Sequence, residues 1–298
     1  MSEQQSNPNG PITLSVIGAL LFCLTAIPVQ SSQVAYEGFD YVSASLESQS
    51  GGSGWGLNWS SNIYVSPISS SSLGYGALAT SGGSVTFGPA SVTTVYTRQL
   101  ASTFGASAVG GTLWMSLLYL NTAGSTSAEA RIGFYGNMTA DASGLNTATA
   151  SGGLPHPVDV GRPATGGSAD EISLYSGSTI FSTGIATPRG AEAAFLLMRF
   201  TLTGDANPDT VSLWVNPNIS LGEGSLGAAQ ATFTSGTSDM DVVNGLRFQT
   251  PNTGGFSIDE IRVGTTFADV TPVVPEPTTL IMVGLGIGAV ALQIRRRK

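Results

Sequence analysis

The sequence predicts an all-β fold, a two-layer antiparallel sandwich of the jelly-roll type, on three observations. Short segments alternate apolar and polar residues with a period of two, as in TVSLWVN, where Val211, Leu213 and Val215 share one face. Two segments, TLWMSLLYL and AAFLLMRFTL, are apolar on both faces, which is typical of central strands covered on both sides. Turn-forming stretches rich in Gly, Ser, Thr, Asn and Pro separate the segments.

The region between the terminal segments, residues 32–273, is long enough for one domain with a substantial core. Of the 19 acidic and 11 basic residues in the chain, two acids and four bases lie in the terminal segments. The region therefore holds 17 acids and seven arginines, a net charge of −10. A surface of this charge repels polyanions, so nucleic acid is excluded as a partner, whereas cations and neutral glycans remain compatible with it.

An amino-terminal signal peptide is predicted at residues 1–31. Residues 14–27 are apolar, and the small residues that precede the predicted cleavage site after Ser31 fit the export rule. The absence of Lys and Arg before the apolar run departs from the pattern, and a first transmembrane helix is the alternative. Cys23 is the only cysteine and follows the bulky Phe22, which speaks against lipidation. The exported region would then contain no thiol, which excludes disulfides, cysteine nucleophiles and thiolate metal ligands.

The carboxyl-terminal tail, residues 274–298, combines three features. They are the motif Pro275, Glu276 and Pro277, the apolar span 280–294, and the basic end Arg295, Arg296, Arg297 and Lys298. An apolar helix followed by cations predicts a transmembrane span with its end on the cytoplasmic side. The span has 15 residues, which is short for a hydrocarbon core of ~30 Å. A transient anchor is therefore predicted, and a buried core helix is the alternative.

The same three features, in this order, resemble the PEP-CTERM sorting tail. The resemblance implies recognition at the cytoplasmic membrane by an exosortase-type processing enzyme. It also implies cleavage near Pro275, Glu276 and Pro277 and transfer of the protein to the cell surface. It covers about 25 residues and therefore concerns destination, not activity.

A second resemblance concerns the two ends of the domain. The segments AYEGFDY, GGSGWGLNWS and GLRFQTPNTGGFSIDEIRVGTTFADVTP are similar to the first and last strands of concanavalin-like and laminin-G-like sandwich domains. The resemblance implies that the terminal strands share one sheet. Five residues would then be core neighbours: Tyr36, Phe39, Phe256, Ile258 and Ile261.

No catalytic residues are predicted. His156 is the only histidine and stands alone in a loop, and no Gly-x-Ser-x-Gly motif accompanies it. A glycosidase on this fold would need two carboxylates on one face of a strand. The candidate pairs are Asp239 with Asp241, Asp170 with Glu171, and Asp259 with Glu260. Adjacent residues of a strand point to opposite faces, so the last two pairs are not expected to cooperate.

A calcium site and a glycan site are the candidate binding sites. Asp205, Asn207 and Asp209 offer hard oxygen ligands for calcium, although the same side chains are typical caps of a turn. No other cofactor is predicted. The candidate glycan-binding residues are three aromatic residues near the amino terminus, Trp55, Trp59 and Tyr64. The alternative is that Trp55 and Trp59 close the end of the sandwich.

Together these features predict an exported, non-enzymatic β-sandwich protein of the cell surface or extracellular matrix. It would be sorted by an exosortase-type system and would contact exopolysaccharide in a biofilm-like matrix. Two alternatives remain: a secreted carbohydrate-active enzyme, either a glycoside hydrolase or a lyase, and a purely structural coat component.

Overall fold

The fold is described from a computed structural model. Placement is described for residues 33–42, 45–61, 66–88, 94–105, 111–122, 130–135, 138–140, 146–148, 158–162, 171–176, 179–186, 192–203, 209–234, 242–250 and 255–273. The predicted signal peptide and the predicted sorting tail lie outside these residues.

The described residues form two large sheets and one short hairpin. The first sheet contains β1 (Gln33–Glu37), β3 (Ile68–Ser69), β4 (Ser84–Phe87), β6 (Gly111–Asn121), β13 (Ala194–Leu202), β14 (Thr210–Val215), β15 (Ala231–Thr234) and β17 (Phe256–Gly264). The second contains β2 (Ser60–Ser61), β5 (Thr94–Gly105), β7 (Ala130–Tyr135), β10 (Val158–Arg162), β11 (Glu171–Ser176), β12 (Thr179–Ala186) and β16 (Val242–Thr250). The hairpin pairs β8 (Met138–Ala140) with β9 (Asn146–Ala148).

β17, the last strand among the described residues, occupies the interior of the eight-stranded sheet. This sheet runs β15-β14-β13-β6-β17-β4-β3, and β1 also pairs with β17. β6 pairs along one side of β17, whereas β4 and β1 share the other side. The predicted placement of the terminal strands in one sheet is therefore confirmed.

The seven-stranded sheet runs β12-β11-β10-β7-β16-β5-β2, and every strand pair in both large sheets is antiparallel. Successive strands from β4 to β7 alternate between the two sheets, so the chain crosses the sandwich repeatedly, as in a jelly roll. The all-β, two-layer antiparallel fold predicted from the period of two is confirmed.

Two hydrophobic clusters cover the two faces of the eight-stranded sheet. The cluster between the sheets includes Val211, Leu213 and Val215, as their alternation predicts. The cluster on the outer face includes Trp114 and Trp214, whose stacked ring centroids lie 5.9 Å apart. β6 and β13 contribute to both clusters, which explains why their segments are apolar on both faces.

One predicted core residue, Tyr36, points the other way. Phe39, Phe256, Ile258 and Ile261 lie in the cluster between the sheets, as predicted. Tyr36 follows Ala35, whose side chain is in that cluster, so alternation directs Tyr36 to the outer face of the sheet. The prediction for Tyr36 was wrong because the resemblance identified the strand but not its register.

Helical structure among the described residues is short. Two 3₁₀ turns span Ile219–Leu221 and Glu223–Ser225, and the α-helix α1 spans Phe267–Val270. Thr266 and Asp269 form a reciprocal capping box at the start of α1. No helix within the described ranges is long and apolar enough to cross a membrane. The predicted span 280–294 lies outside them.

Candidate functional site

The two candidate glycan-binding tryptophans are placed differently. Trp59 is 1% exposed, and its ring packs against Phe39 and Phe248 with centroid distances of 6.1 and 5.6 Å. Its indole N–H donates to Glu37 Oε2 at 3.1 Å. Trp59 therefore closes the interior at this end of the sandwich and presents no free ring face to a sugar.

Trp55 is only half-buried. Its indole N–H donates to the carbonyl of Tyr36 at 2.9 Å, and its backbone forms an isolated bridge with Leu100. The guanidinium carbon of Arg98 lies 4.9 Å from the centroid of the Trp55 ring. The position of Trp55 is thus fixed while part of its surface reaches solvent. The third candidate, Tyr64, lies outside the described residues.

Beneath these rings lies a buried ion pair between Glu37 and Arg98, both 1% exposed at the side chain. Glu37 Oε1 accepts from the backbone N–H of Phe39 at 2.8 Å, and Oε2 accepts from the Tyr41 hydroxyl at 2.6 Å. Burial, reinforced by the Glu37 charge, raises the pKa of the Tyr41 hydroxyl, so this group stays a donor.

The remaining donors of Arg98 bind backbone carbonyls. Nε donates to Leu57 at 3.2 Å and Nη2 donates to Gly51 at 2.6 Å. Arg98 lies on β5, so its guanidinium holds the segment 51–59 against this strand. No sequence pattern predicted this pair. The available signal was Arg98, which falls between Tyr96 and Leu100 on the core-facing positions of one strand.

The segment 51–59 approaches its neighbours closely at a glycine. Gly54 has φ of +76°, and a Cβ at this position would lie 1.8 Å from the carbonyl oxygen of Val34. The Gly54 carbonyl also accepts from the backbone N–H of Ala101 at 2.9 Å. A glycine is required here by both backbone conformation and space.

Of the three calcium candidates, only Asp209 lies within the described residues. It is fully buried, and its Oδ1 accepts from the backbone N–H of Thr203 at 2.8 Å and from the Thr203 hydroxyl at 3.3 Å. Bonds of this kind are typical of a side chain that caps a turn. Across the described part of the chain, no group of three or more potential ligands has the geometry of a metal site. Asp205 and Asn207 lie outside it.

The neighbouring carboxylates Asp259 and Glu260 share the outer face of their strand, contrary to the prediction. A bulge interrupts the pairing of β17 with β6 between Asp259 and Arg262, and Glu260 has φ of +54°. The flanking Ile258 and Ile261 both remain in the inter-sheet core. The extra residue breaks the alternation, which is why the opposite-face argument fails.

Both carboxylates are fully buried and engaged by the segment that covers the outer face. Asp259 Oδ2 accepts from the backbone N–H of Leu73 at 2.8 Å and from the Ser72 hydroxyl. Glu260 Oε1 accepts from the backbone N–H of Ser81 and from the Tyr36 hydroxyl, the latter at 3.2 Å. The two residues therefore bind both ends of the segment 72–81.

Of these two carboxylates, Glu260 has a cationic partner. Arg262 forms an ion pair with Glu260 and donates to the carbonyl of Ala79 at 2.5 Å. Burial raises the pKa of Asp259 to about 7, with a further contribution from the charge of Glu260. Burial also raises the pKa of Glu260. Perturbed carboxyls can serve catalysis, but these two are enclosed by protein donors.

Of the other candidate catalytic residues, only Glu171 lies within the described residues. It is buried and accepts from the Ser182 hydroxyl and the backbone N–H of Gly184. The candidates outside the described residues are Asp170, Asp239, Asp241 and His156.

Comparison with known proteins identifies the tail. Residues 273–298 match the PEP-CTERM protein-sorting motif. The resemblance inferred from Pro275, Glu276 and Pro277, the apolar span and the basic end is therefore confirmed. No curated protein is similar enough to this sequence to count as a relative.

Solved structures similar to the chain share little sequence with it. The endo-1,3-β-glucanase from Streptomyces sioyaensis is 11% identical, with a TM-score of 0.43 over 80% of this chain and 97% of that chain. The endo-β-1,4-glucuronan lyase from the fungus Trichoderma reesei is 12% identical, with a TM-score of 0.42 over 70% and 90%. The carbohydrate recognition domain of Emp46p, in its metal-free form, is 11% identical, with a TM-score of 0.41 over 70% and 88%.

Proposed function

We propose that this protein is an exported, non-enzymatic β-sandwich of the cell surface or extracellular matrix, delivered by an exosortase-type system. The observation that carries the proposal is the sorting motif at residues 273–298. The net charge of −10 over residues 32–271 suits a soluble exterior domain that does not adhere to anionic lipid.

The position of the motif relative to the domain supports the same proposal. Val273 forms the last described contact of the domain, a bridge with Leu78, and the carbonyl of Pro272 accepts from Ala79 at 2.9 Å. The Pro-Glu-Pro sequence begins two residues later. Cleavage near this sequence would leave the described contacts intact.

The sorting proposal is tested by expressing the full chain in a bacterium that contains an exosortase. The unaltered chain is expected to lose mass at its carboxyl terminus and to become accessible to protease added outside the cell. Replacement of Pro275, Glu276 and Pro277 by alanine should block both changes while the apolar span and the basic end remain.

A matched control replaces the three residues Thr278, Thr279 and Gln293 by alanine, which alters the tail without touching the motif. This variant should be processed normally. Normal processing and surface delivery of the variant that lacks Pro275, Glu276 and Pro277 would refute the sorting proposal.

The non-enzymatic part of the proposal is supported by the carboxylates. Asp259, Glu260 and Glu171 are buried and bonded to protein donors, so they are poorly placed to reach a substrate. The test is incubation of the full chain with β-glucans and polyuronates. Release of reducing ends or unsaturated products that disappears in Asp239→Asn or Asp241→Asn would favour the carbohydrate-active enzyme instead.

Glycan contact outside the cell completes the proposal. Trp55 is the predicted glycan-binding residue whose half-buried ring retains surface. Co-sedimentation of the full chain with matrix polysaccharide from the exporting host measures the contact, and Trp55→Ala tests whether it depends on this ring. Trp59→Ala is unsuitable because Trp59 belongs to the core.

A further inference from the structure

The segment 72–81, here called the strap, lies over the outer face of the eight-stranded sheet and is bound at both ends. Asp259 holds the first end, where it accepts from the backbone N–H of Leu73 at 2.8 Å. Glu260 holds the second end, where it accepts from the backbone N–H of Ser81. The two carboxylates are neighbours at the bulge of β17, so both ends of the strap depend on this one bulge.

The strap also holds the last described residues of the domain. Leu78 forms an antiparallel bridge with Val273, and beside it the backbone N–H of Ala79 donates to the carbonyl of Pro272 at 2.9 Å. A bond in this position makes Leu78 and Val273 a non-hydrogen-bonded pair, in which the Cα atoms lie about 4.5 Å apart. The Pro-Glu-Pro sequence begins at Pro275, two residues after this pairing.

The backbone that the strap holds is the backbone that a processing enzyme would need. Proteins that bind an extended peptide do so largely through main-chain hydrogen bonds, as in strand addition. The carbonyl of Pro272 is already bonded to the strap, and Leu78 lies opposite Val273. The strap and an enzyme that cleaves near Pro275 therefore compete for the same stretch of chain.

Apolar packing of the strap is limited. Of its ten residues only Leu78 is buried, and the others are half-buried or exposed. Tyr75 is half-buried and stacks on Phe195 with ring centroids 5.3 Å apart. The strap covers the outer cluster and contributes no residue to the cluster between the sheets. Its release would therefore leave the core between the sheets in place.

The polar contacts of the strap are weakened by the cost of burying two carboxylates. Arg262 forms an ion pair with Glu260, and the Tyr36 hydroxyl donates to the same side chain at 3.2 Å. Burial raises the pKa of Asp259 to about 7, and it also raises the pKa of Glu260. Ionisation of these groups opposes closure, because release of the strap would return them to water.

We infer that the strap is an autoinhibitory clamp on the sorting tail: its pairing with residues 272–273 must open before an exosortase-type enzyme can bind the chain and cleave near Pro275. The closed strap keeps this backbone occupied, and the open strap releases it as an extended peptide. This inference rests on the proposed function, because it names what regulates processing at the sorting motif.

A disulfide across the pairing tests the inference. Leu78→Cys combined with Val273→Cys places two cysteines at a bridge whose Cα separation suits a disulfide. The variant is made in a full chain with Cys23→Ala, which removes the only native cysteine, and is purified in detergent and oxidised with glutathione disulfide. Membranes from a bacterium that contains an exosortase are then added, and the loss of tail mass is followed with and without dithiothreitol.

The oxidised variant should be processed at least roughly tenfold more slowly than its own reduced form, because only the open state is competent. The matched controls are Leu78→Cys alone and Val273→Cys alone, whose processing should not depend on dithiothreitol. Equal processing of the oxidised and reduced double variant would overturn the inference. Failure of the two cysteines to join would also overturn it, since the pairing of the strap with residues 272–273 would then not be populated.

A second measurement separates this inference from the proposed function. Proteinase K, added in place of the membranes, measures access to residues 272–276 without an exosortase. The disulfide should slow cleavage within this stretch, and dithiothreitol should restore it. Cleavage that ignores the disulfide would overturn the inference even if sorting is confirmed. If the disulfide protects this stretch but membranes fail to process the chain with Cys23→Ala alone, the sorting proposal fails and the clamp remains.

Discussion

At the scale of single residues, the buried pair of Glu37 and Arg98 illustrates how a charge can be accommodated in an apolar core. The carboxylate accepts from Phe39, Tyr41 and Trp59, and the guanidinium binds the carbonyls of Leu57 and Gly51. Satisfying these groups is what makes the buried pair tolerable, because each ion loses its hydration.

Removing one partner of this pair should therefore be costly. Arg98→Met leaves Glu37 buried without its counter-ion and is expected to lower the free energy of unfolding by about 3–5 kcal/mol. The double variant Glu37→Gln with Arg98→Met should lose less than Arg98→Met alone. Urea unfolding of the three proteins gives the comparison. A loss below about 1 kcal/mol for Arg98→Met would mean that the pair behaves like a surface salt bridge.

A second residue-scale prediction concerns pH. The pKa of Asp259 is raised from 3.8 to about 7, so the folded state binds more protons than the unfolded state between these values. Stability is therefore expected to fall as pH rises from about 4 to about 7, by an amount on the order of 4 kcal/mol, and then to level off.

Urea unfolding between pH 4 and 8 measures this slope, and Asp259→Asn should flatten it. The raised pKa of Glu260 acts in the same direction, so a smaller slope should remain in that variant. Stability that instead rises steadily across this range would contradict the assignment.

At the scale of elements, the segment 51–59 depends on close backbone approach. Gly54 and Gly222 have nearly the same φ, +76° and +79°, but a Cβ at Gly222 would meet nothing within 4 Å. Gly222 combines positive φ with an extended ψ of 175°, so Gly222→Ala should cost only this backbone strain, about 1–3 kcal/mol. Gly54→Ala should cost distinctly more, since its Cβ would overlap Val34. Thermal unfolding of both variants compares them, and equal losses would show that space at Gly54 is not limiting.

The sequence predicted the strands and their core-facing residues better than it predicted bulges, strand register and long-range side-chain pairs. Alternation placed Val211, Leu213 and Val215 correctly because a period of two is local information. The bulge at Asp259 and Glu260 inserts one residue without any local signal, and the register of Tyr36 depends on its partner strand. The partnership of Glu37 and Arg98 joins residues 61 positions apart, which single-segment patterns do not reveal.

At the scale of the whole molecule, the end of the domain is secured just before the sorting tail. α1 packs Phe267 on Trp114 at a centroid distance of 5.7 Å, and the Ser116 hydroxyl donates to the carbonyl of Val270 at 2.6 Å. These contacts cover the outer face of the eight-stranded sheet beyond the last strand.

A chain that ends at Val273 is therefore expected to keep the melting temperature of the full chain within about 2 °C. A chain that ends at Gly264 should melt several degrees lower, because Phe267 and Val270 no longer cover Trp114. Calorimetry of the two truncated chains tests this expectation. A large loss on truncation at Val273 would show that the tail contributes to folding as well as to sorting.

The interior position of β17 constrains the timing of assembly. This strand is the last one in the described part of the chain, yet β6, β4 and β1 all require it as their hydrogen-bonding neighbour. A ribosome or a translocation channel that releases the chain from its amino terminus must deliver nearly all of it before the larger sheet can close. Closure of the larger sheet is thereby deferred until this strand has emerged.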